Sequence, residues 1–131
     1  GFDTHAGQLA TQRQLLAQLA EGLAKFREAM RKANAWDRVL VMTYAEFGRR
    51  VAENGSNGTD HGTAAPHFIL GGKVKGGLYG EQPPLEDLDA GDLKFRLDYR
   101  RLYATAAERW WGIARTSHTL HQAKPLEYLR A

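Results

Sequence analysis

The sequence predicts a mixed α/β fold in which a long helix is followed by a buried strand. Two observations indicate this. Apolar side chains recur every three or four positions between residues 11 and 33, which is the period of an amphipathic helix (Leu16, Leu19, Leu23, Phe26 and Met30). Residues 39–42 then form a short apolar run without alternation, which is typical of a strand covered on both faces. Helix followed by buried strand is the order found in α/β domains.

Turn signals separate the next elements. Asn34 predicts the end of the first helix, because asparagine tolerates the left-handed conformation that often follows a helix. Residues 54–58 are rich in Gly, Asn and Ser and predict a turn, and residues 67–70 predict a second short strand. The glycine pairs at 71–72 and 76–77 indicate backbone bends or close approach to another segment.

The second half of the chain predicts a loop, a helix and a tail. Five acids and no base lie between residues 81 and 92, next to two prolines, so we expect a solvated loop. Residues 98–111 predict a second helix that Gly112 closes, with one apolar side (Tyr99, Leu102, Tyr103, Ala106 and Trp110). In the tail we expect Leu126 and Leu129 to contact the core, and we interpret His118 and His121 as exposed side chains.

Composition limits the class of protein. We expect one globular unit over residues 1–131, and the scattered bases behind a formal charge of +3 make nucleic acid an unexpected partner. The absence of cysteine excludes disulfides, cysteine-based zinc sites and thiol nucleophiles. No apolar run is long enough for a membrane span. An Asp-x-His motif three residues from a true terminus would be poorly anchored, so we expect a fragment of a longer protein.

Candidate metal ligands occur in three polar segments. Asp60, His61 and His67 lie in a loop that leads into the apolar residues 68–70. Carboxylate oxygens and neutral imidazole nitrogens are the usual protein ligands of zinc, manganese and iron. Asp3 and His5 precede the first helix, and Glu46 follows the first strand, where open α/β sheets place their ligands. The sequence therefore predicts that three loops converge on one metal site.

Each motif also has a structural alternative. Asp60 and His61 could form a capped turn, and His67 beside Phe68 could be a packed core histidine. Asp3-x-His5 could be an exposed turn. Glu46 could form a surface ion pair with a neighbouring arginine, worth about 0–1 kcal/mol. Arg49 and Arg50 could equally bind the oxyanion of a phosphate or sulfate ester through bidentate hydrogen bonds, or lie in a solvated turn.

Four motifs together resemble a known family. They are Gly-Phe-Asp-Thr-His at 1–5, Glu-Phe-Gly-Arg-Arg at 46–50, Gly-Thr-Asp-His-Gly-Thr-Ala-Ala-Pro-His-Phe at 58–68 and Gly-Gly-x-Val-x-Gly-Gly-x-Tyr-Gly at 71–80. They closely resemble the sulfatase-like family known as domain of unknown function 1501. The resemblance implies the fold of the alkaline phosphatase superfamily, a three-layer αβα sandwich with metal loops at strand ends. This chain would be its C-terminal portion, in a protein exported to the periplasm by the twin-arginine route.

The resemblance also implies roles for individual residues. Asp3 and His5 match the metal ligands that precede a long helix, Glu46 matches the acid at a strand end, and His61 matches the late histidine. Asp60 and His67 are additional candidates. Phe47 stands where the superfamily usually has a histidine, a departure that puts a second metal in doubt. The nucleophile of such enzymes belongs to the N-terminal half, so we expect the fragment alone to be inactive.

These observations lead to a functional hypothesis, a metal-dependent hydrolase of phosphate or sulfate esters. The first ion, preferably zinc and otherwise manganese, calcium or iron, would be held by Asp3, His5 and His61. A second ion would be held, or the first ligands oriented, by Glu46, Asp60 and His67. Arg49 and Arg50 would bind the anionic ester, and the N-terminal part of the same protein would complete the site. The alternatives are a catalytically silent exported binding or assembly protein and, third, a nucleic-acid binder.

Overall fold

The fold combines one long helix with short antiparallel strand pairs. A computed structural model describes residues 1–114, 120 and 122–130, so His118 and His121 lie outside the described residues. The elements are, in chain order, α1 (Gln8–Lys32), a 3-10 turn (Trp36–Arg38), β1 (Leu40–Met42), β2 (Gly48–Arg49), β3 (His61–Gly62), β4 (Ile69–Gly71), β5 (Leu88–Asp89), β6 (Asp92–Leu93), α2 (Arg100–Thr105) and a π-helical turn (Ala106–Trp110). The prediction of a mixed α/β chain is confirmed at this level.

Helix α1 begins three residues before its predicted start and ends one residue before its predicted end. Gly7 precedes it in the left-handed conformation, and no side chain caps the helix. The N–H groups at the helix start instead donate to backbone carbonyls 49 residues later in the chain. Gly7 N–H donates to Ser56 O and Gln8 N–H donates to Asn57 O, both at 2.9 Å. Asn34 adopts a φ of 51° just after the helix, as its position predicts.

Strands β1 and β4 confirm the two predicted strands, with β4 displaced toward its glycines. They pair antiparallel, with Leu40 opposite Gly71 and Met42 opposite Ile69. Both are half-buried, so the prediction that the first strand is covered on both faces is wrong for this chain. The glycines permit close approach as predicted, because a Cβ at Gly71 would overlap Val39 O and a Cβ at Gly72 would overlap the Asp37 side chain.

A hairpin that was not predicted lies between β1 and β4. Strands β2 and β3 pair antiparallel, with Gly48 opposite Gly62 and Arg49 opposite His61. The predicted turn at 54–58 closes it, and Asn54 holds this turn by accepting N–H bonds on its Oδ1. Two-residue strands carry too little periodicity to be recognised in a sequence.

The prediction for the acidic stretch at residues 81–92 is wrong in part. This stretch was expected to be loop, but β5 and β6 pair there antiparallel, with Leu88 opposite Leu93. The connecting residues Ala90 and Gly91 both have positive φ, 50° and 88°. Two residues of positive φ match the twist of paired strands in a tight hairpin. Alanine seldom adopts this conformation, which is why the turn is not apparent from the sequence.

The second helix is shorter than predicted. It runs over Arg100–Thr105 and continues as the π-helical turn Ala106–Trp110, after which Gly112, at φ 65°, ends it as expected. The prediction of its apolar side is partly wrong, because Tyr99 and Tyr103 are 59% and 41% exposed. The buried residues are small instead (Ala104, Thr105 and Ala106). Small side chains let the C-terminal segment come close, and Thr105 Oγ1 accepts the Leu126 N–H at 2.7 Å.

The core is small and forms around that C-terminal segment. Leu126, Tyr128 and Leu129 are buried and pack against half-buried residues from β1, β4, α2, the π-helical turn and two loops (Leu40, Ile69, Leu102, Trp110, Val74 and Leu97). The prediction that Leu126 and Leu129 contact the core is therefore confirmed. No residue of α1 is buried. Within the part of the chain that the structure describes, no helix combines the length and apolar character needed to cross a membrane.

Candidate metal centre

Three side chains from distant parts of the chain direct their ligand atoms at one another. His61 Nε2 lies 2.8 Å from Asp3 Oδ1, and His5 Nε2 lies 3.0 Å from both Asp3 Oδ1 and His61 Nε2. We call these three residues the triad. Among residues 1–114, 120 and 122–130, it is the one group of three or more His, Asp or Glu whose ligand atoms all lie within 4.8 Å of one another.

The triad concentrates groups that donate electron pairs. A carboxylate only accepts hydrogen bonds, and each neutral imidazole can offer the lone pair of its Nε2. Hydrogen bonding and charge from His61, and then from His5, hold the pKa of Asp3 below its usual range. The three side chains are 43–61% exposed, so one side of the triad is open to solvent. Three converging ligand atoms with an open side are an arrangement that suits a divalent cation, which would take the place of the hydrogen bonds among the three side chains.

Arg49 holds the N-terminal segment against the hairpin. Its Nη2 donates to Phe2 O at 2.8 Å and its Nη1 donates to Thr59 O at 2.9 Å. Nη2 also lies 3.5 Å from Asp3 Oδ1. The side chain is 21% exposed, and both Nη atoms are engaged with the protein itself. Arg49, expected from the sequence to bind substrate, is thus placed where it fixes the position of Asp3.

Gly58 determines how close His5 can come to the hairpin. It is buried, and a Cβ built on it would overlap His5 O and lie 3.0 Å from Ala6 N. A second set of hydrogen bonds runs beside this contact, because Thr59 Oγ1 donates to Gln8 Oε1 at 2.9 Å and Gln8 Nε2 donates to Thr4 Oγ1 at 3.0 Å. The segment that carries Asp3 and His5 is therefore attached to the hairpin on both sides.

Asp60 lies behind His5 rather than in the triad. Its Oδ1 is 3.7 Å from His5 Nδ1 and accepts a hydrogen bond from Asn54 Nδ2 at 3.0 Å. The Asn54 hydrogen bond, followed by interactions with His5, lowers the pKa of Asp60. At this distance the carboxylate acts on the imidazole through its charge rather than through a short hydrogen bond. Asp60 is therefore a charged neighbour of His5 outside the triad.

Asn54 was not identified from the sequence, although it connects three parts of the site. Besides contacting Asp60, its Nδ2 donates to His5 O at 3.1 Å, while its Oδ1 accepts the N–H groups of Ser56 and Gly58. The only sequence signal was an asparagine at the start of a Gly/Asn/Ser turn, which is typical of ordinary turns as well.

Phe47 supports the other histidine. Its ring stacks on the His61 ring with centroids 3.5 Å apart and planes at 10°. The guanidinium carbon of Arg49 lies 5.2 Å from the Phe47 ring centroid. Phe47, which stands where the resembled superfamily has a histidine, therefore orients the His61 ring by stacking.

Glu46 and His67 lie on a neighbouring cavity. Both line a space of about 410 Å³ whose walls also include Phe47, Tyr99 and Tyr103. His67 Nδ1 is 3.5 Å from Thr43 Oγ1. The structure does not bring Glu46, Asp60 and His67 together, and in the described residues they form no second group of metal-ligand atoms.

Arg50 points away from Arg49, toward the β5–β6 hairpin. Its Nε lies 3.6 Å from Asp92 Oδ1, and its side chain is 43% exposed. Asp92 Oδ1 is buried and has no hydrogen-bond partner in the described structure, so this ion pair is its principal compensation. Of the two arginines expected to bind an anion, Arg50 is thus the more accessible.

Comparison with known proteins gives a family and no nearer relative. No curated protein matches the chain, and neither does any solved structure. A family model, described as "Protein of unknown function (DUF1501)", matches residues 1–123 and includes every residue of the triad and its supports. The family resemblance carried by the four sequence motifs is confirmed, and the chain belongs to the DUF1501 family.

Proposed function

We propose that the protein is a metal-dependent hydrolase of phosphate or sulfate esters, with the triad as its metal site. One observation carries this proposal. The ligand atoms of Asp3, His5 and His61 lie 2.8–3.0 Å from one another although His61 is more than 50 residues away in the chain. A structural role alone would not require three exposed ligand atoms to converge.

The donor set fits zinc. Ligand atoms at about 2.0–2.1 Å from a tetrahedral zinc ion lie about 3.3 Å apart, so the triad would need to open by only about 0.4 Å. Catalytic zinc sites combine three nitrogen or oxygen ligands from the protein with one open position, whereas structural sites usually have four ligands that include cysteine. The chain has no cysteine, and the triad has an open side. The catalytic type is therefore favoured.

The residues around the triad would orient the metal ligands and bind the substrate. A bound divalent metal supplies polarisation of the ester oxygen or activation of a nucleophile. The charge of Asp60 would favour a proton on the nearby His5 Nδ1, and Phe47 stacks on the His61 ring. Arg49 positions Asp3 rather than binding substrate. Arg50, which is part exposed, would receive the anionic group of the ester.

The organic group of the ester would occupy the neighbouring cavity. This cavity of about 410 Å³ shares Phe47 with the metal site, since the same ring lines the cavity and stacks on His61. Its size falls in the usual range for small-molecule pockets. Glu46 and His67 line this cavity and would contact the substrate rather than a second metal.

The wider proposal rests on the family. The order of the motifs along the chain and the resemblance that they carry are the support for an alkaline-phosphatase-like αβα sandwich, export by the twin-arginine route and a nucleophile supplied by the N-terminal part of the protein. Residues 1–131 would then provide metal ligands to a site completed by that part.

Two measurements test the proposal in sequence. Elemental analysis and calorimetric titration with Zn²⁺ should give one ion per chain, lost when Asp3 is changed to Ala. The natural polypeptide that contains residues 1–131 should then hydrolyse 4-nitrophenyl phosphate or 4-nitrophenyl sulfate, and chelation should abolish the turnover. Absence of bound metal would refute the proposed metal site. Metal binding without hydrolysis of either ester, whichever divalent ion is supplied, would refute the proposed hydrolase activity.

A specific observation favours the alternative, a catalytically silent assembly component. The accessible surface is 9499 Å² for a mass of 14.6 kDa. A compact monomer of this mass exposes about 6,900 Å², so the chain exposes about 2,600 Å² more. Exposed large apolar side chains contribute to this surface, among them Leu78, Phe95 and Trp111. An excess of this size would suit docking with another polypeptide, and metal binding without hydrolysis would support this alternative.

A further inference from the structure

A second cleft, of about 400 Å³, has a strongly basic lining. Among the described residues, four basic ones line it, together with Trp110, Leu129 and one acid, Asp37. The four are Arg38, Lys73, Arg109 and Arg130. None of them belongs to the triad or to its supporting residues. The cleft is therefore distinct from the proposed metal site.

The antiparallel β1–β4 pair creates this cleft at the end of the strands opposite the metal site. Arg38 precedes β1 and Lys73 follows β4, so the two bases meet at one end, while the segment from Thr43 to Phe68 leaves the other end. The C-terminal segment adds Arg130, whose N–H donates to Lys73 O at 2.8 Å. The π-helical turn adds Arg109.

The positive charge of the cleft is poorly compensated. In residues 1–114, 120 and 122–130, no carboxylate lies within 4.0 Å of the charged nitrogens of Arg38, Lys73 or Arg130. Arg109 alone has acidic neighbours, Glu108 at 3.5 Å and Glu127 at 3.8 Å. Three of the four bases thus have no acidic partner in this part of the chain, and with Asp37, Glu108 and Glu127 all counted the four bases still leave a net charge of +1 (four minus three) at the cleft.

We propose that this cleft binds a small ligand that carries two or more phosphate or sulfate groups. Like charges brought together repel, and a multivalent anion relieves that repulsion at several side chains at once. Guanidinium groups suit such a ligand because they bind phosphate oxygens in bidentate fashion. A volume of about 400 Å³ matches a small molecule, and a local cleft rather than an extended basic stripe disfavours nucleic acid.

The probe for this proposal is inorganic pyrophosphate, titrated calorimetrically into the chain in the presence of EDTA so that the metal site does not contribute. The double variant Lys73→Gln/Arg130→Gln should lower the affinity at least about 10-fold, which corresponds to losing one or two charge-assisted contacts. The matched control is Arg13→Gln/Arg27→Gln, which removes the same number of charges from the exposed surface of α1 and should leave the affinity unchanged.

A gain of affinity provides the sharper test. Asp37→Asn removes the one carboxylate that the described residues contribute to the lining and should tighten pyrophosphate binding by about 3-fold or more, a change that unfolding cannot produce. Equal weakening by the cleft and control variants would overturn the proposal, as would unchanged affinity in the cleft variant. Displacement of pyrophosphate by a short DNA duplex at lower concentration would overturn it in favour of a nucleic-acid surface. Because EDTA is present, none of these outcomes bears on the triad.

Discussion

The Nε2 atoms of His5 and His61 lie 3.0 Å apart although the residues are 56 positions apart in the sequence. This contact exists because the turn at 54–58 accepts the first N–H groups of α1 and thereby places the segment before the helix against strand β3. Asp3 lies within 3.0 Å of both imidazoles. The geometry of the triad is thus a consequence of how the N-terminus of α1 is capped by backbone carbonyls.

Removing one imidazole of the triad should abolish high-affinity metal binding. We expect His61→Ala to weaken Zn²⁺ binding by at least about 100-fold, because a missing ligand costs more than the 10- to 100-fold typical of a missing supporting residue. His67→Ala is the matched control, since His67 lines the neighbouring cavity. The affinity of this variant for Zn²⁺ should stay within about 2-fold of the wild-type value. Calorimetric titration measures both. Equal losses in the two variants would contradict the assignment of the ligands.

A methyl group at Gly58 should separate the two halves of the site. The added Cβ would overlap the backbone carbonyl of His5, and backbone atoms cannot rotate away. We expect Gly58→Ala to lower the free energy of unfolding by about 1–3 kcal/mol and to weaken Zn²⁺ binding. Gly55→Ala, in the same turn, meets no atom within 4 Å and should behave like the wild type. Urea denaturation would measure the loss of stability, and titration with Zn²⁺ would measure the loss of affinity. Unchanged metal affinity in Gly58→Ala would contradict the proposed role of the Gly58–His5 contact.

The two neighbouring arginines should respond differently to the same change. Arg49→Gln removes the hydrogen bonds to Phe2 O and Thr59 O that fix Asp3, so we expect metal affinity to fall by about 10-fold. Arg50→Gln affects a side chain directed at Asp92 and should leave metal affinity unchanged while raising the KM for an anionic ester. Metal titration combined with steady-state kinetics separates the two. A purely kinetic effect of Arg49→Gln would restore its predicted role in substrate binding.

Alkaline pH should destabilise the fold through Tyr128. Burial raises the pKa of this phenol from its ordinary value of 10.0 to about 12, although a hydrogen bond with Thr105 acts in the opposite direction. The neutral hydroxyl donates to Leu102 O at 3.1 Å, which the phenolate cannot do. Because the folded pKa is the higher one, this stability is fully present below pH 10 and is lost as the pH rises toward 12.

The size of this effect is at most about 2.7 kcal/mol, from two pH units at about 1.36 kcal/mol each. Urea denaturation between pH 8 and pH 12 would show it as a falling free energy of unfolding. Tyr128→Phe is the control, since it keeps the ring in the core and removes the titration. A wild-type stability that falls no more steeply than that of the variant would exclude Tyr128 as the cause.

Local sequence patterns predicted much of the fold. The 3.6-residue period of α1, the apolar run of β1 and the ends at Asn34 and Gly112 are properties of contiguous residues, and they were predicted to within a few positions. The pairing between β2 and β3 was not predicted, because two-residue strands are too short to show a periodic pattern of apolar residues. The apolar side of α2 was assigned partly to tyrosines that the fold leaves exposed, because the C-terminal segment packs on small residues instead.

The sequence by itself determined which kinds of ligand are available, since a chain without cysteine can offer a metal only carboxylates, imidazoles and weaker donors. It also named the six candidates, Asp3, His5, Glu46, Asp60, His61 and His67. Only the tertiary structure decided that three of them converge, that Asp60 lies behind His5 and that Glu46 and His67 face another cavity. The reason is physical: composition and spacing describe neighbours along the chain, whereas the distance between His5 and His61 depends on backbone contacts at Gly58 and Asn54 that join segments far apart in sequence.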